Sequence, residues 1–278
     1  MLMPNLRELG LDQNPSEQPL SYPGRPVPGS CLLVDDWLYP MLDTQGDEVA
    51  EWSIENDEGP LSVAGRRWCT VGMALRAMNA APMAERKPVV AVGSNASPGQ
   101  LAYKYANWPT KRVIPVTRVT VTGLAVAHSA HISKPGYVPY IPVRSLPEHE
   151  IELHALWLDT EQTQRMDETE PNYRRLCLRS GSATMLLESG DRLPTATLYA
   201  GRWGALRLTP DGTHVPATTQ ARIFTLLGSQ EWFQKVAPES LDGPEAAMSA
   251  LGHDTERRER VRQEIAGRHL AVSDDLSI

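Results

Sequence analysis

The sequence predicts an α+β fold built round a mixed β-sheet, with N- and C-terminal extensions flanking the sheet-forming region. Three observations carry this. Between residues 87 and 206, short runs rich in β-branched and aromatic residues recur, among them KPVVA, VIPVTRVTVT, EIELHALWL and TATLYAG. Segments with helical spacing, SPGQLAYKYANW and TEQTQRMDETEP, interrupt them. Beyond residue 210 the apolar residues fall at helical intervals instead: Ile223, Leu226 and Leu227, then Trp232 and Phe233.

Taken in order, residues 1–30 are rich in Pro, Gly, Asn and Gln and read as an irregular arm, ordered only where it docks. CLLVDDWLYPML is an apolar segment compatible with strand or helix, and DTQGDEVAEWSIENDEGP an acidic solvated loop. TVGMALRAMNAAPMA has helical composition and ends near Pro82. KPVVAVGSN is a strand running into a tight loop, and SPGQLAYKYANW a helix with Pro98 in its first turn. VIPVTRVTVTGLAVAHSAHIS alternates as a strand pair does, and EIELHALWLD is a further strand. TEQTQRMDETEP starts a helix with Thr160 as candidate N-cap; LCLRSG, ATMLLES and TATLYAGR follow as strands. TTQARIFTLLGSQEWFQKVAP reads as one amphipathic helix, and DTERRERVRQEIAGRHL as a charged helix with a solvated face. These shifts divide the chain into an extension over 1–86, a core over 87–210 and a helical extension over 211–278. Both extensions are expected to pack on the core and could serve as a dimer contact.

The chain of 278 residues is 41% hydrophobic, enough for a packed core, and carries a formal net charge of -7. That balance argues against a nucleic-acid binder, which needs clustered Lys and Arg. No apolar run approaches the ~20 residues of a membrane span. Cys31, Cys69 and Cys177 form no CxxC pair, and the first residues lack an apolar signal segment. Reduced thiols in a cytoplasmic protein are expected.

Two segments point to chemistry. Val92-Gly93-Ser94-Asn95 sits where a strand gives way to a helix. Gly permits a sharp turn, and successive backbone N–H groups of such a loop can converge on a carboxylate or a developing oxyanion. Met166-Asp167-Glu168-Thr169-Glu170-Pro171-Asn172-Tyr173-Arg174-Arg175 places three acids within four residues at the end of a helix. The helix dipole disfavours negative charge there, so local stability alone does not select the arrangement.

At this separation the two segments resemble the γ-glutamylcyclotransferase-like family, which pairs an aromatic-Gly-Ser-Asn loop with a downstream Leu-Asp-x-x-Glu-Gly segment and a following Tyr. The resemblance spans about residues 87–206. It implies a β-barrel-like mixed sheet with flanking helices, Glu170 as the catalytic carboxylate, and Val92, Gly93, Ser94, Asn95, Ala96, Tyr173 and Tyr199 as substrate-binding residues. Two positions depart from the pattern: Val92 stands where the family has an aromatic residue, and Pro171 where it has Gly. The implied reaction turns a γ-glutamyl amide into 5-oxoproline and a free amine without metal or cofactor. The implied partner is the small-molecule γ-glutamyl substrate, with no nucleic acid or membrane. Acyl transfer or amide hydrolysis on the same scaffold, and a non-catalytic module binding an amino-acid-like ligand, are the alternatives.

Other residues carry weaker signals. His128 and His131 lack zinc-type spacing, and three residues apart on a strand they face opposite ways. Cys177 has no base beside it and reads as a buried thiol. Gly136, Tyr137 and Tyr140 lie between the two motifs and could line a pocket, and Trp203 could close it or serve as core.

Overall fold

A computed structural model describes residues 5–42, 48–55, 60–61, 67–179 and 183–276. The segment ambiguous in sequence is a hairpin. Asp35 takes a left-handed conformation (φ 50°), which Asp tolerates better than most residues, and with Asp36 it turns β1 (Cys31–Val34) back as β2 (Trp37–Leu42). Part of the acidic stretch lies outside the described residues. Within it β3 (Ser53–Glu55) pairs with β2 and then with β4 (Trp68–Thr70), before Thr70 caps α1 (Val71–Ala77).

The region read as strand-rich supplies β5 (Lys87–Ala91), α2 (Pro98–Lys104), β6 (Val113–Thr122), β7 (Leu124–His128), β8 (Tyr140–Arg144) and β9 (Glu150–Leu158). It continues with α3 (Thr160–Glu168), β10 (Tyr173–Arg179), β11 (Met185–Leu187), β12 (Thr195–Gly201) and β13 (Ala205–Leu206). Ten strands form one mixed sheet in the order β10-β12-β5-β9-β6-β1-β2-β3-β4, with β11 also on β6. Only β5 and β12 run parallel; the other pairings are antiparallel. Among the described residues this path is open, with β10 and β4 at its ends, and no pairing closes it into a barrel.

Several local expectations need correction. The β6 and β7 segments are not partners: Gly123 (φ 77°) redirects the chain, and β7 pairs with β8 in a separate two-stranded sheet. The N-cap of α3 is Asp159, not Thr160. Its carboxylate accepts from the Gln162 N–H at 2.8 Å, and Gln162 Oε1 accepts back from the Asp159 N–H, a reciprocal box that Thr160 would be one residue too late to form. The amphipathic C-terminal segment is two helices, α4 (Gln220–Gly228) and α5 (Glu231–Val236), broken at Ser229-Gln230; Thr219 caps the first. They are followed by α6 (Pro244–His253), α7 (Thr255–Gly267) and β14 (Ala271–Val272), the last pairing with β13. Cys177 is exposed, since it alternates with buried Leu176 and Leu178 along β10. No helix among the described residues is long and apolar enough to cross a membrane.

The arm docks along its described length. Leu6, Leu11 and Val27 join Val89, Leu101, Tyr105, Leu156 and Met166 in one core cluster. Fully burying such an aliphatic side chain contributes about 1.5–3 kcal/mol, which offsets the cost of ordering an irregular chain. Tyr22 reaches a different cluster, where it meets Ile132, Tyr137 and Val138 together with Phe224, Phe233 and Met248 of the C-terminal helices.

Candidate functional site

Strand direction brings the two sequence motifs together. Because β5 and β12 are parallel, their carboxyl ends lie at the same edge of the sheet. β10 runs antiparallel to β12 with Tyr173 opposite Gly201, so it begins at that edge. The chain leaves β5 through Val92 and Gly93 into a single 3-10 turn, Ser94–Ala96, and enters α2 at Pro98. It leaves α3 through Thr169 and Glu170 into β10. Pro171, where the resemblance has Gly, fits its place: the Tyr173 N–H donates to the Glu170 carbonyl at 3.1 Å, closing a turn with Pro171 at its second position. Proline's fixed φ suits that position and stiffens the segment presenting Glu170.

Between the loop and this turn lies a cavity of about 450 Å³. Val92, Gly93, Ser94, Asn95, Glu170, Tyr173 and Tyr199 all line it. Ala96 does not; it packs on the core beneath, beside Leu101 and Tyr105. Tyr137 and Tyr140 also line the cavity, but Trp203 does not. Trp203 donates to Asn172 Oδ1 at 3.2 Å and lies under the Arg262 guanidinium.

The Glu170 side chain is 11% exposed, and its contacts are charge-assisted. Its Oε1 accepts from Asn95 Nδ2 at 2.9 Å and from Lys104 Nζ at 2.5 Å. Lys104 also donates to Asn95 Oδ1 at 2.7 Å and to Met166 Sδ at 3.5 Å. The amide orientation of Asn95 is forced, since its oxygen must meet the ammonium and its nitrogen the carboxylate. Among the described residues Oε2 has no hydrogen-bond partner, and neither do the N–H groups of Ser94 and Asn95. The Ala96 and Ser97 N–H groups are engaged within the turn by the Gly93 and Ser94 carbonyls.

Lys104 escaped the sequence reading. Its signal was helical spacing: Gln100, Leu101 and Lys104 share the buried face of α2, so the lysine lies on the same face as a core leucine. The acidic cluster is also explained. Each acid has its own cation: Asp167 with Arg175 at 2.9 Å, Glu168 with Arg165 at 3.2 Å, and Glu170 with Lys104. Those cations offset the repulsion expected at a helix C-terminus.

The cavity tyrosines are held neutral. Burial pushes Tyr22, Tyr137 and Tyr173 well above the ordinary phenol range, and the Glu170 charge raises all three further. Tyr199 is raised by burial and by its hydrogen bond to Asp167, whose Oδ1 accepts from the phenol at 2.7 Å. The Tyr173 hydroxyl donates to the Tyr140 carbonyl at 3.3 Å and the Tyr140 hydroxyl to the Thr218 carbonyl at 2.7 Å. Tyr22 comes from the arm, a contributor the sequence did not signal. Its ring stacks on Tyr137 at 4.2 Å, and its hydroxyl lies so close to Gly93 that an added Cβ there would sit 2.4 Å from it. The loop thus carries Val92 itself and takes an aromatic ring from 71 residues upstream of Gly93.

His128 and His131 are buried and drawn into internal hydrogen bonds. His128 Nδ1 lies 3.3 Å from the Val138 carbonyl, and Nε2 accepts from the Thr218 N–H at 3.1 Å. His131 Nδ1 bonds the Ser129 hydroxyl at 2.7 Å. Burial lowers their pKa values to about 4 and about 3. Among the described residues no group of three or more potential metal ligands is found.

No protein-family model matches the chain, and no curated protein matches its sequence. Among solved structures, similarity is found to one described as a gamma-glutamyl cyclotransferase, with 10% identity, a TM-score of 0.37, and coverage of 70% of this chain and 92% of that one. A glutathione-specific gamma-glutamyl cyclotransferase from yeast gives 11% identity and a TM-score of 0.31 over 66% of this chain and 97% of that one. A protein from Arabidopsis thaliana gives 15% identity and a TM-score of 0.31 over 42% of this chain and 70% of that one. At these scores the likenesses carry no inference about this chain's activity.

Proposed function

We propose that this chain is a γ-glutamylcyclotransferase-like enzyme that cleaves a γ-glutamyl amide by internal cyclisation, with Glu170 as general base and acid. The observation that carries the reading is the state of Glu170. One carboxylate oxygen is held by Lys104 and Asn95, and the other is without a protein partner at the wall of a cavity that the Val92–Asn95 loop also lines.

In this reading Oε2 removes a proton from the α-ammonium of the substrate, and the freed amine attacks the γ-carbonyl carbon. A C–N bond closes the five-membered ring as the carbonyl oxygen gains charge. The unengaged Ser94 and Asn95 N–H groups are donors suited to that oxygen. Glu170 returns its proton to the leaving nitrogen as the old C–N bond breaks. A second proton, shed by the ring nitrogen as it becomes an amide, passes to the carboxylate and on to the released amine. Lys104 and Asn95 act by position, fixing the carboxylate so that little reorganisation accompanies each transfer. The barrel closure that the resemblance implies is not needed for this arrangement.

The test is incubation of the purified protein with a panel of γ-glutamyl amines and γ-glutamyl amino acids, with 5-oxoproline as readout. Turnover that falls roughly 10²–10⁴-fold in Glu170→Gln is the expected result, the range typical of a lost acid–base group. Release of free glutamate instead of 5-oxoproline marks an amide hydrolase. Binding without turnover, unchanged by Glu170→Gln, marks a non-catalytic module and overturns the reading.

A further inference from the structure

The N-terminal arm does more than cover the core. It contributes Ser16 and Tyr22 to the cavity wall, and its backbone is fitted closely to the loop and to α2. A Cβ on Gly99 would stand 2.3 Å from the Gln13 carbonyl oxygen, and a Cβ on Gly24 would stand 2.7 Å from Ser97 Oγ. Ser16 Oγ donates to Gln100 Oε1 at 3.2 Å. The arm is therefore seated on both sides of the position from which Tyr22 enters.

Tyr22 is 4% exposed, and its hydroxyl oxygen accepts the Tyr140 N–H at 2.8 Å. A phenol has one proton to donate, and among the described residues nothing accepts it. This separates Tyr22 from three other tyrosines of the cavity. Tyr173, Tyr140 and Tyr199 donate to the Tyr140 carbonyl, the Thr218 carbonyl and Asp167. The Tyr137 hydroxyl is flanked by the side chains of Ser133, Ser94 and Ser16. A buried donor without an acceptor is costly, so a group that arrives with the substrate is its natural partner. The location of the hydroxyl names that partner. It lies against Gly93, the residue before the Ser94 and Asn95 N–H groups, on the cavity wall that Glu170 shares.

We propose that Tyr22 is a catalytic residue whose phenol O–H, together with the Ser94 and Asn95 N–H groups, donates to the γ-carbonyl oxygen of the substrate as it gains negative charge. This rests on the reading of Glu170 given above. No covalent bond forms to Tyr22 and no proton leaves it; the phenol stays neutral and acts as a fixed dipole. The assignment makes the arm part of the active site.

Tyr22→Phe keeps the ring and its stacking on Tyr137 and removes only the hydroxyl. Steady-state kinetics on the best γ-glutamyl substrate of the panel should show kcat lowered roughly 10- to 100-fold, with KM changed by no more than about twofold, because the bond to the neutral carbonyl is weak and strengthens as the oxygen gains charge. The same variant leaves the Tyr140 N–H without an acceptor, so 3-fluorotyrosine at position 22 provides a second readout that preserves fold and hydroxyl. A more acidic phenol is a stronger donor, and kcat should rise with little change in melting temperature. An unchanged kcat in Tyr22→Phe, a rise in KM alone, or an indifferent response to fluorination overturns the assignment of Tyr22 while leaving Glu170 in place, provided Glu170→Gln is inactive. A wild-type protein that turns over no member of the panel overturns both together.

Discussion

Arg86 and Lys104 are both buried cations, and their surroundings differ in kind. Arg86 directs Nε to the Ala81 carbonyl at 2.9 Å and one terminal nitrogen to the Trp157 carbonyl at 2.9 Å, the Gln162 amide oxygen at 3.0 Å and the Val113 carbonyl at 3.2 Å. Its hydrogen-bond partners are three backbone carbonyls and one amide oxygen, all neutral, and its one carboxylate neighbour, Asp159, stands farther off at 3.7 Å. Lys104 meets a carboxylate, an amide and a thioether, and the carboxylate keeps one oxygen for the cavity. A guanidinium with several fixed donors joins elements, whereas a compact ammonium can hold a single reactive group in place. Depth of burial does not separate the two, since Arg86 is 5% and Lys104 6% exposed. What separates them is whether the partner has capacity left over, and where that capacity faces.

Arg86→Met breaks the comparison at its structural end. It takes a donor from the Ala81 and Trp157 carbonyls and the cation from Asp159, while the Val113 carbonyl and Gln162 Oε1 keep the Gln162 amide and the Asp159 N–H; each acceptor left unsatisfied costs about 1–3 kcal/mol. Chemical denaturation should show a larger stability loss than substitution of Lys104 or Glu170 produces, with turnover per folded molecule preserved. Lys104→Met acts at the other end. Removing one partner of a buried ion pair costs roughly 3–5 kcal/mol. Combining it with Glu170→Gln should restore part of that loss, because the stranded charge is gone, while turnover stays abolished. A double-mutant cycle with no coupling between positions 104 and 170 would contradict the pairing.

The strands and the edge of the sheet that carries the site were legible because they rest on local signals. β-branched runs at 87–91 and 113–122, the turn chemistry at Gly93 and the acids at 167–170 each announce themselves within a few residues. Lys104 was half legible, through its spacing on α2. Tyr22 was not legible at all: nothing within the Pro- and Gly-rich arm distinguishes its tyrosine from any other, and its role comes from packing against residues 71 and 118 positions away in the chain, Gly93 and Tyr140. The α4–α5 break was missed for a related reason. The apolar stripe continues through it, while Gln234 Nε2 donates to the Gly228 carbonyl at 2.7 Å and fixes the bend.

His128 sharpens the contrast between groups tied into the fold and groups left for chemistry. His128 uses both ring nitrogens on backbone partners, an arrangement that requires the neutral ring with Nδ1–H donating to Val138. Its folded-state pKa of about 4 lies below the ordinary 6.5. The unfolded chain therefore binds more protons between those values, and stability present above pH 6.5 is lost as pH falls toward 4. The loss attributable to His128 is roughly 3 kcal/mol at full protonation. Denaturation midpoints measured from pH 7 to pH 4 should fall, and in His128→Gln the slope should flatten. An equal slope in both proteins would mean that other groups drive the acid response.

The smallest effect lies nearest to the carboxylate proposed as catalytic. Asp167 sits three residues before Glu170, yet its oxygens face Tyr199 and Arg175 instead of the site. Arg175 and Asp167 are each 40% exposed, so solvent screens their attraction and Arg175→Ala should cost no more than about 1 kcal/mol. Asp167→Asn keeps an oxygen that can accept the Tyr199 proton and should leave kcat within about twofold of wild type. If proximity in sequence were what gave Glu170 its role, the two acids would respond alike. Here the measure is the destination of the side chain: one carboxylate closes a link between α3 and β12, and the other, one turn later, opens onto the cavity. A kcat loss in Asp167→Asn comparable to that of Glu170→Gln would show that the turn works as one charged unit, and the separation drawn between tied and available groups would fail at the place where it matters most.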